Sequence, residues 1–136
     1  MIYLDTSAAM KLVRPEAHSL ELSRWYDERQ SAAVLSSILI EVELMRATRR
    51  SAPDRVGRAA DVLRGIGVVT LSPVVIARAA GYDDRELRSL DAIHLATAQH
   101  LASVTHVVLE AFVAYDQRLI AAARDLGLPV TAPGMA

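Results

Sequence analysis

The chain has 136 residues, 52% of them hydrophobic and 23% charged, with a formal net charge of −1. That is one domain's length with enough apolar residues for a core, and the absence of cysteine excludes disulfides and thiolate metal sites. A charge so near zero gives no general attraction to nucleic acid, so any such role needs a local patch of positive charge.

Met1–Leu4 predicts a short buried strand, and Asp5-Thr6-Ser7 opens a helix to about Val13. Arg14-Pro15-Glu16 predicts a second helix to about Gln30, because proline suits a first turn. A strand follows at Ala33–Ser36, with Ser36 or Ser37 placed to cap the helix Ile38–Arg50. Ala52-Pro53-Asp54 breaks the chain before a helix at Arg55–Arg64, then come the strand Val68–Leu71 and a helix from Ser72-Pro73 to about Ala80. Beyond the loop Gly81–Asp84, a helix is expected at Ser89–Leu101, a strand at Phe112–Tyr115, a helix at Gln117–Leu126 and a strand at Leu128–Thr131. The connection across 102–110 is longer than a tight turn needs. Short apolar strands alternating with helices predict an α/β fold: a parallel sheet of four to five strands with helices on both faces, formed by a single domain over residues 1–136.

Asp5 arrives too early for a secretion leader to precede it in this sequence. Residues 92–109 lack formal charge, but three histidines, a glutamine and several hydroxyls argue against a membrane span. A cytoplasmic protein is expected.

Four acids stand apart. Asp5 and Asp116 each follow a predicted strand, on the sheet edge where ligands of open parallel sheets bind. Each can equally serve as a helix cap. Asp91 opens the nearly apolar helix Asp91-Ala92-Ile93-His94-Leu95-Ala96, where the helix dipole alone would favour an acid. Glu43 interrupts the apolar stretch Val34–Met45, and its neighbour Glu41 points about 200° away. Glu43 shares a stripe with Arg46 and Arg50, and helical geometry alone does not choose between the two glutamates. His94, about 300° round from Asp91, reads as a hydrogen-bonded, partly buried histidine on a different face rather than a metal ligand. No lysine or arginine neighbours all four acids, which makes a divalent cation the common answer to their charge. Fourteen of the fifteen basic residues are arginine, and Arg46, Arg49, Arg50, Arg55 and Arg58 fall close together. Arginine suits bidentate phosphate contacts, although a solvated helix face explains the cluster as well.

The segments Met1–Ala8, Ser37–Ala47, Leu90–Ala98 and Tyr115–Leu119 resemble, in order, the four signatures of PIN-domain ribonucleases, and most closely the VapC toxins of toxin–antitoxin pairs. The resemblance selects Glu43 over Glu41, because Arg46 follows it by three. It implies Asp5, Glu43, Asp91 and Asp116 as catalytic metal ligands, with Thr6, Arg46 and Arg50 in support. Further implications are Mg2+ or Mn2+ as cofactor, one ion or two, and hydrolysis of RNA to a 5′-phosphate and a 3′-hydroxyl. A cognate antitoxin and a homodimer are implied as partners, with an apolar face around Trp25 or Val34–Met45 available for contact. Ala114 stands where the family more often has serine or threonine. Two other readings stand beside this one. The chain could be a catalytically inactive PIN-like module that binds RNA or protein. A phosphotransfer domain fits less well, since Asp5-Thr6-Ser7 lacks the second aspartate that such chemistry uses.

Overall fold

A computed structural model describes residues 1–104 and 106–135. Its centre is β1 (Ile2–Leu4), in which every residue is fully buried. On one side β1 pairs with β2 (Val34–Ser37), which pairs in turn with β3 (Gly67–Val69). On the other it pairs with β4 (Ala111–Val113), which carries β5 (Val130–Thr131) at the far edge. All pairings are parallel, in the order β3-β2-β1-β4-β5. A central parallel strand has no solvated face, which is why its sequence runs apolar without alternation.

The helices are α1 (Thr6–Val13), α2 (Ser19–Asp27), α3 (Leu39–Ser51), α4 (Val56–Arg64), α5 (Pro73–Ala80), α6 (Ser89–Val104) and α7 (Gln117–Asp125). The pleat splits them into two layers. Ile2, Leu4, Ala111 and Val113 turn one way and pack with Ala9, Val13, Leu22, Ile40, Leu44 and Ala59 of α1 to α4. Met1, Tyr3, Phe112 and Ala114 turn the other way, against Leu95, Ala98 and Leu101 of α6 and Leu119 and Ala123 of α7. Each layer buries apolar area at roughly 25 cal/mol per Å². The expected α/β sandwich of five parallel strands is therefore present.

Several boundaries differ from the sequence expectation. The helix predicted to restart at Pro15 begins only at Ser19. The intervening turn is held by Ser19 Oγ, which accepts from the Glu16 N–H at 3.0 Å and donates to the Arg14 carbonyl at 3.2 Å, and His18 takes a left-handed φ of 68°. The turn at Arg29–Ala32 ends the same helix three residues short of Gln30. β3 starts one residue early, and β4 likewise, leaving Tyr115 beyond the strand. β5 begins two residues later than expected. α6 runs on to Val104 and takes up part of the long connection; the expectation for 102–110 includes residue 105, which lies outside the described residues. Of the two serines before α3, Ser37 Oγ accepts from the Leu39 N–H at 3.3 Å, while Ser36 Oγ donates to the Leu4 carbonyl at 2.7 Å. No helix among the described residues is long and apolar enough to cross a membrane.

The strand order decides where a site can form. From β1 the chain steps outward to β2 and β3, then returns across the sheet to β4 on β1's other side. Loops leaving β1 and β4 thus diverge to opposite faces and open a crevice at their carboxyl ends. Asp5 follows β1 directly, and Asp116 follows β4 by three residues.

Candidate active site

Asp5 is the N-cap of α1. Its Oδ2 accepts from the Ser7 N–H at 3.1 Å and from the Ser7 hydroxyl at 2.6 Å, and the same Ser7 oxygen accepts from the Tyr115 N–H at 3.0 Å. The cap therefore stitches β1's exit to β4's exit. Asp5 is only 4% exposed, and capping occupies one carboxylate oxygen. The other, Oδ1, faces His94, whose Nε2 lies 3.9 Å away.

Glu43 reaches the same nitrogen from α3, with its Oε1 2.7 Å from His94 Nε2. Thr6 Oγ1 donates to that oxygen as well, at 3.1 Å. Glu41, two residues earlier, is exposed on the outer side of α3. No ion pair joins Glu43 to Arg46 among the described residues, although the i,i+3 spacing permits one. Asp91, in the first turn of α6, is electrostatically coupled to Asp5, Asp116 and Glu43. Asp116 is exposed and caps α7 through Oδ1, which accepts from the Leu119 N–H at 3.0 Å. Both post-strand aspartates thus cap helices while remaining at the crevice.

The electrostatics follow from burial and crowding. Burial holds the Asp91 carboxyl above the ordinary carboxylate range; the charges of Asp5 and Asp116 add to this, His94 opposes it, and Glu43 adds again. His94 is fully buried, which by itself would lower its pKa. Its hydrogen bond to Glu43 and the charges of Asp5, Glu43 and Asp91 outweigh that and hold it above the usual histidine range. The imidazole therefore answers Glu43 with a hydrogen bond at a place where the sequence reading looked to a cation alone.

His94 also corrects that reading in position. A rotation of 300° is 60° the other way, so residues three apart are neighbours on a helix. His94 sits wholly inside the protein, between Asp91's helix and Glu43.

The cleft over the aspartates has a volume of about 410 Å³ and is lined by Arg88, Asp91, Tyr115, Asp116, Gln117 and Arg118. Arg88 and Arg118, both exposed, flank Asp91 and Asp116, whereas the sequence reading looked for basic support at Arg46 and Arg50 on the helix of Glu43. Arg46, Arg49 and Arg50 are exposed on α3, and Arg50 lies roughly 10 Å along the helix axis from Glu43. Arg88 falls in a charged loop with no periodicity, and only its closeness to Asp91 could have drawn notice. Thr6 lies beside Glu43, a contact the sequence did not indicate. Ala114 is buried in the α6/α7 layer.

No three His, Cys, Asp or Glu side chains among the described residues converge closely enough to form a ready-made cage. The acids offer only oxygen donors, which suits a hard cation. Mg2+ keeps several waters and needs just one or two direct carboxylates, so an open acidic crevice is compatible with it.

A model of the PIN domain matches residues 2–125. The ribonuclease VapC35 of Mycobacterium tuberculosis is 46% identical over 136 residues, covering 100% of this chain and 99% of its own length. Among solved structures, the sarcin–ricin-loop-cleaving toxin VapC20 of M. tuberculosis superposes with a TM-score of 0.72 at 20% identity, over 90% of this chain and 95% of its own. A toxin–antitoxin complex from Klebsiella pneumoniae gives 0.65 at 19% identity, with 98% of both chains covered. Matched in fold by the last two and at full length by the first, the chain belongs to the PIN domain family and, within it, to the VapC ribonucleases.

Proposed function

We propose that this chain is a metal-dependent endoribonuclease, hydrolysing RNA phosphodiesters as the toxin of a toxin–antitoxin pair in the cytoplasm. The observation that carries the reading is the meeting of Asp5 and Glu43 at one buried imidazole nitrogen, within the field of Asp91 and Asp116, at the sheet's crevice. The full-length relationship to a ribonuclease supports it. Asp5, Glu43 and Asp91 would hold the cation, with Asp116 at its outer edge. When bound, Mg2+ or Mn2+ supplies Lewis acidity toward the phosphoryl group and lowers the pKa of a water.

The chain's own groups do the rest. Ser7 keeps Asp5 Oδ1 turned toward the crevice by occupying Oδ2. Thr6 and His94 hold Glu43. Arg88 and Arg118 line the cleft at the height of Asp91 and Asp116 and bring positive charge to an acidic site that would otherwise repel phosphate. Splayed, single-stranded RNA is the form such an open cleft can admit.

A non-catalytic binding module is the second reading, favoured by the helix-capping roles of Asp5 and Asp116 and by the lack of a closed cage. Cleavage of RNA by purified protein with Mg2+ or Mn2+, abolished by chelation, separates the two. Partners follow from the first reading: an antitoxin that places a basic side chain in the crevice, and a second copy of the chain. Trp25 is covered by the Arg29 guanidinium at 4.2 Å, so we place the dimer contact instead on α5 and α6, where Val74, Ile76 and Leu90 are 54%, 52% and 48% exposed.

Four outcomes are expected. Asp5→Asn retains an acceptor for the Ser7 N–H and folds, but loses at least about a hundredfold in Mg2+-dependent cleavage, as does Glu43→Gln, while the exposed Glu41→Gln changes little. Full activity in Asp5→Asn removes the metal-site assignment.

Native Asp91 binds its proton to higher pH than the unfolded chain, so its contribution to stability falls as pH rises from the ordinary carboxylate pKa toward the raised one. Metal-free Asp91→Asn accordingly melts above the parent at pH 7, with the gap closing below about pH 4. Thermal scans across pH check this, and a gap that does not change with pH contradicts it.

If Arg118 contacts a phosphate, Arg118→Ala reduces the salt slope of RNA binding by about 0.7, whereas Arg50→Ala leaves it nearly unchanged. The reverse result returns the RNA contact to α3. Light scattering should show a dimer at micromolar concentration and a monomer for Ile76→Glu; a monomeric parent removes the proposed contact.

A further inference from the structure

His94 has a place in the fold that metal ligation by the acids does not explain. Its ring is fully buried and spans from the sheet to the crevice, with Nδ1 2.7 Å from Tyr3 Oη and Nε2 2.7 Å from Glu43 Oε1. An ionised carboxylate only accepts, so Nε2 carries the hydrogen in this contact whatever the charge of the ring. Tyr3 is itself anchored: its oxygen accepts from the Ser37 N–H at 3.0 Å, and burial raises its pKa so far that it remains a phenol. Its ring stacks on Phe112 at 5.3 Å with 7° between planes. A continuous chain of contacts thus runs from the β2 backbone through Tyr3 and His94 to Glu43.

At the crevice end, both side-chain donors to Glu43 fall on one oxygen: Oε1 receives His94 and the Thr6 hydroxyl. Asp5 lies 3.9 Å from Nε2, beyond hydrogen-bond reach, and is held by Ser7 instead. The imidazole is therefore committed to Glu43. With its donor nitrogen engaged, it is not presented as a ligand.

We propose that His94 is a positioning residue, anchored by Tyr3, that presets the Glu43 carboxylate for a divalent cation while leaving its second oxygen for that cation. The proposal rests on the metal-site reading given above, and two measurements keep the two ideas separate. The first uses Mn2+ alone, without RNA, by titration calorimetry. His94→Leu fills the apolar space but donates nothing and weakens Mn2+ binding about 10- to 100-fold. His94→Gln, whose amide can still donate to Glu43, recovers most of that loss. Tyr3→Phe weakens binding by less, in the same direction, and supplies the readout if His94→Leu does not fold. In a Glu43→Ala background, His94→Leu adds less than about twofold, because the residue acts through Glu43. A role in folding alone would lower the melting temperature of His94→Leu and leave Mn2+ affinity within twofold of the parent. That result overturns the proposal, as does a His94 loss that persists in full beside Glu43→Ala.

The second measurement is nitrogen-15 NMR of the metal-free protein. A slowly exchanging Nε2–H on His94 is expected, shifted by Glu43→Ala. An unprotonated Nε2 overturns the proposal even if Mn2+ binds. Should the parent bind no Mn2+ while this signal is present, the metal-site reading fails and the His94–Glu43 link stands.

Discussion

Like charges gathered in a partly buried place are the constraint around which this protein is arranged. Carboxylates crowded at one crevice repel one another and oppose folding unless something answers them. The fold answers with hydrogen bonds. Ser7 takes one side of Asp5, Thr6 and His94 take one side of Glu43, and the α7 backbone takes one oxygen of Asp116. Each solution uses part of a carboxylate and leaves the remainder toward the crevice. Stability and availability for ligands are thereby divided between the two oxygens of a single group.

Topology makes such a gathering possible. The elements that bear these groups, α1, α3, α6 and the turn into α7, are drawn from both layers and from distant parts of the sequence. The step back across the sheet from β3 to β4 is what sets the exits of β1 and β4 side by side. Helix capping then becomes a positioning device: a residue that must accept the first N–H groups of a helix has its side chain fixed at the start of that helix.

Much of this was legible in the sequence. The uninterrupted Met1–Leu4 run identified a buried strand, and an acid immediately after it marked the carboxyl edge of the sheet; that this strand is the central one appears only in the structure. The resemblance separated Glu43 from Glu41, which helical periodicity could not; the structure places Glu43 inward and Glu41 in solvent. Elsewhere local signals misled. Arg14-Pro15 has the chemistry of a helix start, yet the hydroxyl of Ser19 and ion pairs from Lys11 and Arg14 to Glu16 favour a turn. Arg88 and Arg118 each lie within three residues of an aspartate, but their meeting at one cleft depends on how α6 and α7 dock, which no local pattern shows. Tyr3 was the hardest to read. In a strand of apolar residues its ring predicts burial, and nothing local shows where its hydroxyl will end.

The stacking of Tyr3 on Phe112 joins the core to the chemistry through one side chain. A substitution that shifts Phe112 by a few tenths of an ångström moves a phenol that touches His94, although neither Phe112 nor its neighbours border the crevice. Random mutagenesis of the α6/α7 layer should therefore yield variants that fold normally and are catalytically impaired. In the opposite layer, packed on Ile2 and Leu4, comparable changes reach Glu43 by a different route, through α3 itself, whose Leu44 is buried beside it. The two halves of one hydrophobic interior thus reach the same carboxylate by different routes, one through a side chain and one through a helix, set by which face of a three-residue strand they occupy.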